Sequence, residues 1–578
     1  MIKASVAAYC TYMCFFETGN KISAFQQSII CCSFFALYFL FLRSQYSKYK
    51  VKLLLPASFV VGGISSTGKV LFSGLKFSGY SARGLLIIDA LGYAMTIYCL
   101  GLLLYGGIEN ANKAVKGKTW LTIFDAKPLL RVSAMLLLLW LPHLLLKYPS
   151  GINIDSLDAI DFSLGIQEKN YNPIAYVAVL GTFFRFGMWL GEPNMGLFLF
   201  NVGIFLLLAF AVAEGYALLA DIKATGWSKT IYLLFFSFSP FVTGYIGNCI
   251  KDMPYISFML IFLVQIGRWM LFPEMFWKNK RQIAVAGIAG YGMAIFRNNG
   301  LYILIIMLVL MLLVELRRNG NKKIIKMMCL LLAAILPLLT NSTVKKLMDD
   351  NGNYSIRENF SLPFQQTARL ILEHPELISD EEKAVIDKVL DYDEAAIKYN
   401  PIISDPVKSL YREECTAKDR AEYISLWFKQ FFRAPVTYLE AVAAQNYFLF
   451  YPEASNYYYY YSCPFYDFTR GEKSIAHIGS PSYLSDVLGW YYQYFFVMLH
   501  ELPVLYTINN MSSYNILLLI LLCFAITKKD RVILLMIPAL VTLFGIPLGP
   551  CIWGHPRYVF PVIYSMPLLL GVYSRNKS

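Results

Sequence analysis

Long apolar blocks recur along almost the whole chain, and they restrict its fold more than any other feature. Typical blocks are Ala134–Leu146, Leu197–Ala213, Leu301–Leu313 and Met327–Leu339. With their weakly polar flanks, most blocks reach the roughly 20 residues that an α-helix needs to cross the hydrocarbon core of a bilayer. Charged residues make up only 15% of the chain, compared with about 25% in soluble domains. The pattern predicts an all-α polytopic membrane protein and excludes a soluble α/β enzyme.

The blocks predict about fourteen membrane-spanning helices. They lie near residues 4–17, 24–42, 53–76, 85–107, 129–146, 195–219, 229–248, 254–271, 283–297, 300–316, 324–340, 513–527, 532–548 and 558–573. The net charge is +13, and most Lys and Arg residues collect in alternate loops. Cytoplasmic loops carry such an excess, so we expect a multi-pass protein of the cell membrane with both termini in the cytoplasm. The loop at residues 76–84, with Lys76 and Arg83, is an exception. This distribution of cations excludes a nucleic-acid-binding surface.

Two long segments fall on the outer side of this predicted topology. The first is the loop 147–194 within a membrane core that covers residues 1–340. Its apolar block Pro173–Leu190 contains Arg185 and several aromatic residues, so it predicts a helix lying along the outer surface; a true span stays open. The second segment, 341–512, has dense charge and predicts a mostly helical domain outside the cytoplasm. Transmembrane helices in 513–578 complete the chain.

Acidic residues in both kinds of outer loop are candidates for chemistry. In a helix beginning near Asp155, the carboxylates of Asp155, Asp158 and Asp161 would fall on roughly one side. Clustered carboxylates raise the pKa of one member or attract a cation, and a raised pKa suits a general base. Acids at a helix start also simply stabilise that end. Lys251 and Asp252, in the next outer loop, form either part of a site or an interfacial pair.

Basic residues at two further outer loops point to an anionic ligand. Arg297 stands between two predicted spans, and His555, Arg557 and Tyr558 precede the last one. A planar guanidinium can hold a phosphate through two parallel hydrogen bonds. The alternative for each Arg is an anchor for lipid head groups. Cys415 and Cys463 both lie in the polar segment, and the sequence leaves open whether they pair.

Several short motifs occur in a fixed order along the chain. They are Tyr148-Pro149-Ser150-Gly151 with Asp155-Ser156, Lys251-Asp252-Met253-Pro254, Arg297-Asn298-Asn299-Gly300, Pro363-Phe364-Gln365-Gln366-Thr367-Ala368-Arg369, and Arg557-Tyr558 with Pro561. In these motifs the chain resembles the glycosyltransferase type C (GT-C) superfamily, and it is particularly similar to a group of bacterial multi-spanning proteins. It departs from some of them at Asn172-Pro173, where they carry His-Pro.

The resemblance implies a GT-C-like helical core, a first outer loop with a catalytic acid and a surface helix, and an outer soluble domain. It also implies transfer of a sugar from a polyprenyl-phosphate or polyprenyl-pyrophosphate carrier in a bacterial plasma membrane. The acceptor would be a cell-envelope glycan, lipid or protein outside the cytoplasm. Asp155 would be the base, with Asp252 as second acid. The implied phosphate-binding residues are Lys251, Arg297, His555, Arg557 and Tyr558, with support from Asp158, Asp161, Gln365, Gln366 and Arg369.

A divalent cation, Mg²⁺ or Mn²⁺, held by Asp155 and Asp252 is compatible with the resemblance, although GT-C enzymes vary in metal use. Two other classes of function stay open. A transporter or flippase for a lipid-linked glycan would translocate the carrier without cleaving it, although the repeated halves common in transporters are not evident in the sequence. A non-catalytic glycan-binding assembly subunit would bind sugar or lipid without turnover.

Overall fold

The fold is built almost entirely from α-helices. The structure, a computed structural model, describes residues 48–72, 80–114, 121–318, 323–348, 356–452, 462–501 and 508–575, together with 36, 38, 39, 41–44, 454 and 506. The described helices up to residue 348 are α1 (Leu54–Phe72), α2 (Tyr80–Ala114), α3 (Thr122–Ala126), α4 (Pro128–Leu146), α5 (Ile154–Ser163), α6 (Ile174–Trp189), α7 (Pro193–Asp221), α8 (Gly226–Phe238), α9 (Pro240–Thr243), α10 (Asp252–Leu271), α11 (Pro273–Lys278), α12 (Lys280–Phe296), α13 (Asn298–Arg317) and α14 (Lys323–Leu347).

The polar segment and the C-terminal part continue the helical pattern. Their described helices are α15 (Ser361–Glu373), α16 (Asp380–Asp387), α17 (Tyr392–Ala395), α18 (Asp405–Lys408), α19 (Ala417–Arg433), α20 (Pro435–Asn446), α21 (Ser482–Glu501), α22 (Met511–Lys528), α23 (Ile533–Gly545) and α24 (Phe560–Tyr573). Strands β1 (Tyr466–Arg470) and β2 (Lys473–Ile478) form an antiparallel hairpin before α21. Gly471, at φ +62, occupies the connecting turn, where a residue without a Cβ avoids strain.

Eight described helices are long and apolar enough to cross a membrane. They are Leu54–Leu71, Leu86–Asn112, Pro128–Leu146, Pro193–Asp221, Asp252–Leu271, Asn298–Arg317, Lys326–Leu347 and Met511–Lys528. The chain is therefore a helical membrane protein, as the sequence predicts. The predicted span at 4–17 and most of the one at 24–42 lie outside the described residues, as does the aromatic run Tyr457–Tyr461. A helix is found at Ile174–Trp189, and its placement along a membrane surface stays a prediction.

One predicted span is interrupted, and the interruption shapes the site. The sequence predicts a continuous helix over 229–248, but α8 ends at Phe238 and only the four-residue α9 follows. The physical reason is Pro240, whose ring disfavours helical backbone in the preceding residue; Ser239 is extended, with ψ 130°. After α9 the chain turns through Gly247 at φ +79. The prediction of one continuous span here was wrong, and the chain instead forms a loop that leads into α10.

The segment predicted as an outer domain has a hydrophobic core of its own around Phe364, Ile386 and Tyr423. Helix α19 begins with a capping box, in which the Thr416 side chain accepts from the backbone of Asp419 and the Asp419 side chain accepts from that of Thr416. The domain also contacts the loop before α24. Gln445 Nε2 donates to the Cys551 carbonyl (2.5 Å) and the Trp553 backbone N–H donates to the Ile402 carbonyl (3.0 Å).

A buried ion pair joins two helices of this domain. Arg369 on α15 places Nη2 2.7 Å from Glu440 Oε2 on α20, and the two side chains are only 9% and 5% exposed. Arg369 also reaches Glu373 Oε2 (3.3 Å) and the Tyr399 hydroxyl (3.3 Å). Such a pair holds its two helices together, because moving them apart would leave each buried charge without its partner, at a high cost in free energy.

We therefore expect Arg369→Met to destabilise the protein by about 3–5 kcal/mol, since it removes the guanidinium from a buried carboxylate. The double variant Arg369→Met/Glu440→Gln should recover most of this loss. Arg412→Met is the matched control, because its partner Asp387 is 46% exposed and exposed pairs contribute at most about 1 kcal/mol. Thermal unfolding of the purified protein in detergent measures all three. Equal losses in Arg369→Met and Arg412→Met would contradict the structural role of Arg369.

Candidate functional site

Two loops that are about a hundred residues apart in sequence are joined by backbone hydrogen bonds. Gly151 and Asn248 form a parallel β-bridge, with Gly151 N–H donating to the Gly247 carbonyl (2.8 Å) and Cys249 N–H to the Gly151 carbonyl (3.0 Å). Lys147 is buried beneath this bridge and donates to Asn248 Oδ1 at 2.9 Å. The bridge brings the start of α5 beside the start of α10, and so Asp155 beside Lys251.

Helix α5 holds Asp155 in its first turn. Asn153 caps the helix, since its Oδ1 accepts from the Ser156 backbone N–H (3.0 Å) and hydroxyl (2.6 Å). The Asp155 carboxylate therefore stands near the positive end of the helix dipole, which stabilises its charge. The predicted helix from Asp155 onward is present, and it places this acid at the edge of a larger cluster.

Two cations from other parts of the chain converge on this carboxylate. Asp155 Oδ2 lies 3.1 Å from Lys251 Nζ and 2.9 Å from Arg557 Nη1. Arg557 is 402 residues further along the chain. Both cations therefore contact the same oxygen of the Asp155 carboxylate. The side chain of Asp155 is 34% exposed, whereas those of Lys251 and Arg557 are 18% and 11% exposed.

The second acid pairs with the remaining cation. Asp252, only 1% exposed, forms an ion pair with Arg297, and its Oδ2 has no hydrogen-bond partner among the described residues. The Arg297 guanidinium also lies 5.7 Å from the ring centroids of both Tyr255 and Tyr558. Its Nη1 is 3.4 Å from the Arg557 carbonyl. Asp252 thus holds Arg297 beside the pair formed by Asp155 and Arg557.

Close helix contact fixes the backbone at Arg297. The residue is extended between α12 and α13. Three residues later, a Cβ on Gly300 would lie only 2.1 Å from the Met293 carbonyl oxygen. Glycine is therefore required where α13 starts against α12. The motif Arg297-Asn298-Asn299-Gly300 accordingly combines a charged side chain with the small residue that positions it.

The loop before α24 supplies the last members of the site. Gly554, at φ +74, turns the chain into His555, which is buried. His555 Nδ1 accepts from the Arg557 backbone N–H (3.5 Å). Burial, together with the nearby Arg557 charge, lowers the pKa of His555 well below its usual value, so the ring is neutral at pH 7. A neutral ring that accepts at Nδ1 carries its proton on Nε2. The Tyr558 hydroxyl lies 3.3 Å from Arg557 Nη2.

Together these residues form what we call the charged cluster: Asp155, Lys251, Asp252, Arg297, His555, Arg557 and Tyr558. All seven were predicted as site residues from the sequence, which did not predict their pairing. With His555 neutral, the three cations exceed the two carboxylates by one charge. The cluster sits where α10, α13 and α24 begin, and Asp155 is its most exposed carboxylate. The arrangement can bind an anion and accept a proton at adjacent positions.

Two polar residues of the site were missed by the sequence predictions. Asn172 donates from Nδ2 to the Asp155 carbonyl (2.9 Å) and accepts from Lys251 Nζ at Oδ1 (2.7 Å). Tyr176 donates to the Cys249 carbonyl at 2.6 Å, and its hydroxyl is 2.9 Å from Ser156 Oγ. For Asn172 the available signal was the motif Asn172-Pro173, at which the chain departs from the expected pattern. Tyr176 gave none, because aromatic residues are common in apolar helices.

The supporting residues predicted from sequence have contacts of other kinds. Asp161 accepts from the Tyr466 hydroxyl (3.1 Å) and so joins α5 to β1. Burial raises the pKa of both Asp158 and Asp161, and for Asp158 the charges of Asp155 and Asp161 add to it. Gln365 Nε2 donates to the Asn400 carbonyl (2.8 Å), and Gln366 Nε2 to the Tyr438 carbonyl (3.0 Å). Gln365, Gln366 and Arg369 thus form hydrogen bonds and ion pairs within the helical domain. Cys415 and Cys463 are free thiols.

The two acids that the sequence suggests as possible ligands of a divalent cation are each paired with basic side chains of the protein. Asp155 is held by Lys251 and Arg557, and Asp252 by Arg297. Among the residues that the structure describes, no group of three or more His, Cys, Asp or Glu is arranged to hold a metal ion. As arranged, the carboxylates fit ammonium and guanidinium partners rather than a metal ion bound between them. Binding of Mg²⁺ or Mn²⁺ stays a prediction.

The contacts of Asp155 should make stability depend on pH. Partial burial alone would raise the pKa of Asp155, but Lys251 and Arg557 outweigh it and lower the pKa below its ordinary value. A carboxylate with a lowered folded-state pKa stabilises the fold above its unfolded-state pKa of about 3.9. This contribution is lost as the pH falls through the folded-state pKa.

We expect the difference in melting temperature between the wild type and Asp155→Asn to be constant from about pH 7 to pH 5 and to narrow below about pH 4. Melting curves in detergent at each pH measure it. Asp393→Asn is the control, because it removes one negative charge at a carboxylate that is 81% exposed. A difference that widens on acidification would contradict the ion pairs at Asp155.

Comparison with known proteins places the chain in a family. The model of a family described as "Family of unknown function (DUF6020)" matches residues 169–578. No curated protein and no solved structure matches the chain. The matched region contains Lys251, Asp252, Arg297, His555 and Arg557 of the charged cluster, and it begins after Asp155. Since the match covers more than half of its length, the chain belongs to the DUF6020 family.

Proposed function

We propose that this chain is a GT-C-type glycosyltransferase of a bacterial plasma membrane. It moves a sugar from a polyprenyl-phosphate or polyprenyl-pyrophosphate carrier onto a hydroxyl group of a glycan, lipid or protein outside the cytoplasm. One observation carries the proposal: the partly exposed Asp155 carboxylate lies 3.1 Å from Lys251 Nζ and 2.9 Å from Arg557 Nη1. A proton acceptor and two phosphate-binding cations therefore occupy adjacent positions.

The proposal includes a GT-C core with about fourteen spans and both termini in the cytoplasm. The segment 341–512 is then the soluble domain outside, and Ile174–Trp189 is the helix on the outer surface. Exposed aromatic side chains support that placement of the helix: Trp189 is 77% and Phe186 is 44% exposed, and the two rings stack at 5.8 Å. Aromatic side chains are common where a helix meets the membrane interface.

In the reaction, Asp155 takes the proton from the acceptor hydroxyl. The acceptor oxygen attacks the anomeric carbon from the face opposite the phosphate, and a new glycosidic bond forms with inversion. The bond between the anomeric carbon and the phosphate oxygen breaks, and its electron pair stays on the departing phosphate. Arg297 and Arg557 stabilise that developing charge, with Lys251 beside them. Fixed cations aimed at developing charge commonly supply the largest part of catalysis.

Asp155 has a lowered pKa in the free protein, which makes it a weak base there, and binding of the donor would reverse this effect. Without substrate, Lys251 and Arg557 reduce the proton affinity of Asp155. A donor phosphate bound to the same cations neutralises them, and the pKa of Asp155 then rises toward its ordinary value. Asp155 therefore becomes a better base when the donor is bound. Asp252, almost fully buried against Arg297, acts as a positioning residue, and His555 stands beside Arg557 in the phosphate-binding part of the site.

The test is turnover of a polyprenyl-phosphate-linked sugar by the purified protein, measured as release of the free carrier lipid and as sugar on the acceptor. Asp155→Asn should lower turnover by about 10²–10⁴-fold, as expected for loss of a general base. Arg557→Gln should cost about 10²–10³-fold through lost charge stabilisation. Asp393→Asn, remote and 81% exposed, should match the wild type. Full activity in Asp155→Asn would exclude it as the base.

The same assay separates the other classes of function. Movement of intact lipid-linked sugar across the bilayer of a proteoliposome, with no free carrier released, would identify a flippase. Binding of the lipid-linked sugar without either outcome would identify a glycan-binding subunit. Each of these results would overturn the proposed transferase.

A further inference from the structure

An apolar groove lies in the membrane-spanning helices away from the charged cluster. It has a volume of about 400 Å³ and is lined by the five helices α10 to α14, with Phe262, Leu308 and Ala333 among its walls. This volume is within the range of small-molecule sites. Gln265, on the groove wall, is thirteen residues along α10 from Asp252, which corresponds to about 20 Å. The groove is therefore separate from the proposed catalytic site.

The groove opens sideways between α12 and α14. Ile288 on α12 and Leu332 on α14 line it and are 63% and 64% exposed. A Cβ built on Gly287, another lining residue, would have no atom within 4 Å. Tyr291 also lines the groove, and its hydroxyl lies 3.1 Å from Thr340 Oγ1, a contact that joins the two helices. With α12 and α14 in the bilayer, as the sequence predicts, this opening faces the hydrocarbon chains of lipids.

One buried amide gives the groove a polar position. Gln265 is 1% exposed, and neither Oε1 nor Nε2 has a hydrogen-bond partner among the described residues. A buried amide without partners costs about 1–3 kcal/mol in proteins. Both its burial and its place in the groove wall indicate that an occupant supplies a hydrogen-bonding group. A purely hydrocarbon occupant would leave the amide unsatisfied.

Cations surround the end of the groove that is remote from the charged cluster. Trp277 lines the groove, and Lys326 Nζ lies 5.3 Å from its ring centroid. Glu315 accepts from Lys326 (2.8 Å), and also from Arg318 and the indoles of Trp269 and Trp277. Three exposed cations come directly after Trp277 in the chain, namely Lys278, Lys280 and Arg281. Residues 273–281 contain only one exposed acid, Glu274. This end therefore has a marked excess of positive charge.

We propose that the groove is a binding site for an anionic phospholipid. One acyl chain fills the groove between α12 and α14, and the phosphate lies near Lys326, Lys280 and Arg281. An ester carbonyl of the lipid accepts from Gln265 Nε2. Charge complementarity selects this occupant, because basic pockets between transmembrane helices bind anionic head groups. The site does not depend on the proposed transferase activity.

The first test fills the groove. Gly287→Phe adds a ring where the structure has open space, whereas Gly203→Phe adds one at another Gly with no atom near its Cβ, on α7. Native mass spectrometry of protein in detergent with added phosphatidylglycerol counts the retained lipid. Exclusion of a few methylene groups should lower retention by about tenfold or more in Gly287→Phe alone. Equal retention in the two variants would overturn the proposal.

The second test concerns the head group. Wild-type protein should retain phosphatidylglycerol in preference to phosphatidylcholine with the same chains. Lys280→Gln and Arg281→Gln should each reduce that preference by about fivefold, since a basic residue near a membrane surface contributes about 1 kcal/mol. No preference in the wild type would overturn the anionic assignment, as would preferential retention of polyprenyl phosphate over phosphatidylglycerol.

The third test concerns Gln265. Wild-type protein should retain ester-linked phosphatidylglycerol several-fold better than the ether-linked form, which lacks the acceptor carbonyl. Gln265→Leu should retain both forms equally. This variant should still fold, because the substitution replaces a buried polar group that has no hydrogen-bond partner among the described residues with an apolar one. A preference for the ester that persists in Gln265→Leu would contradict the proposed hydrogen bond.

Discussion

The ion pairs at Asp155 connect three distant parts of the chain. Asp155 comes from the first turn of α5, Lys251 from the loop before α10 and Arg557 from the loop before α24. Removing Asp155 would take the shared carboxylate away from both Lys251 and Arg557, and breaking a buried ion pair costs several kcal/mol. The surrounding structure is arranged to bring them together. The bridge between Gly151 and Asn248, the cap at Asn153 and the amide of Asn172 all position one member of this group.

The two ends of α10 have different chemistry. At Asp252 the helix begins within a polar, partly open cluster that combines carboxylates, guanidinium groups and aromatic rings. At its other end, Trp269 donates to the buried Glu315, which is surrounded by cations beside an apolar groove. The first end holds the cations on which the proposed transferase relies to bind a phosphate. The second end lies beside the apolar groove in which we propose a lipid.

Local sequence patterns were sufficient for the helices but not for their interruptions. Apolar length and composition predict α7 and α13 closely, since a membrane-spanning helix satisfies its own backbone hydrogen bonds. The single span predicted over 229–248 was wrong because Pro240 ends the helix. The sequence did not predict this end, since many membrane-spanning helices tolerate a Pro. The charged residues of the site were identifiable, since Arg and Lys on the predicted outer side depart from the usual excess of cations in cytoplasmic loops. Their pairing was not, because Asp252 could equally have served Lys251, its neighbour in sequence, instead of Arg297.

The sequence by itself therefore determined that this is a helical membrane protein and which charged residues stand at the ends of its helices. These properties depend on the bilayer as a solvent and are encoded locally. Only the tertiary structure decided that Asp155 pairs with Lys251 and Arg557 while Asp252 pairs with Arg297. It also decided that Asn172 joins the site and that Gln265 stands in an apolar groove. Each of these depends on contacts between segments far apart in the chain, and such contacts are set by packing and by the pairing of buried charges, which no local pattern records.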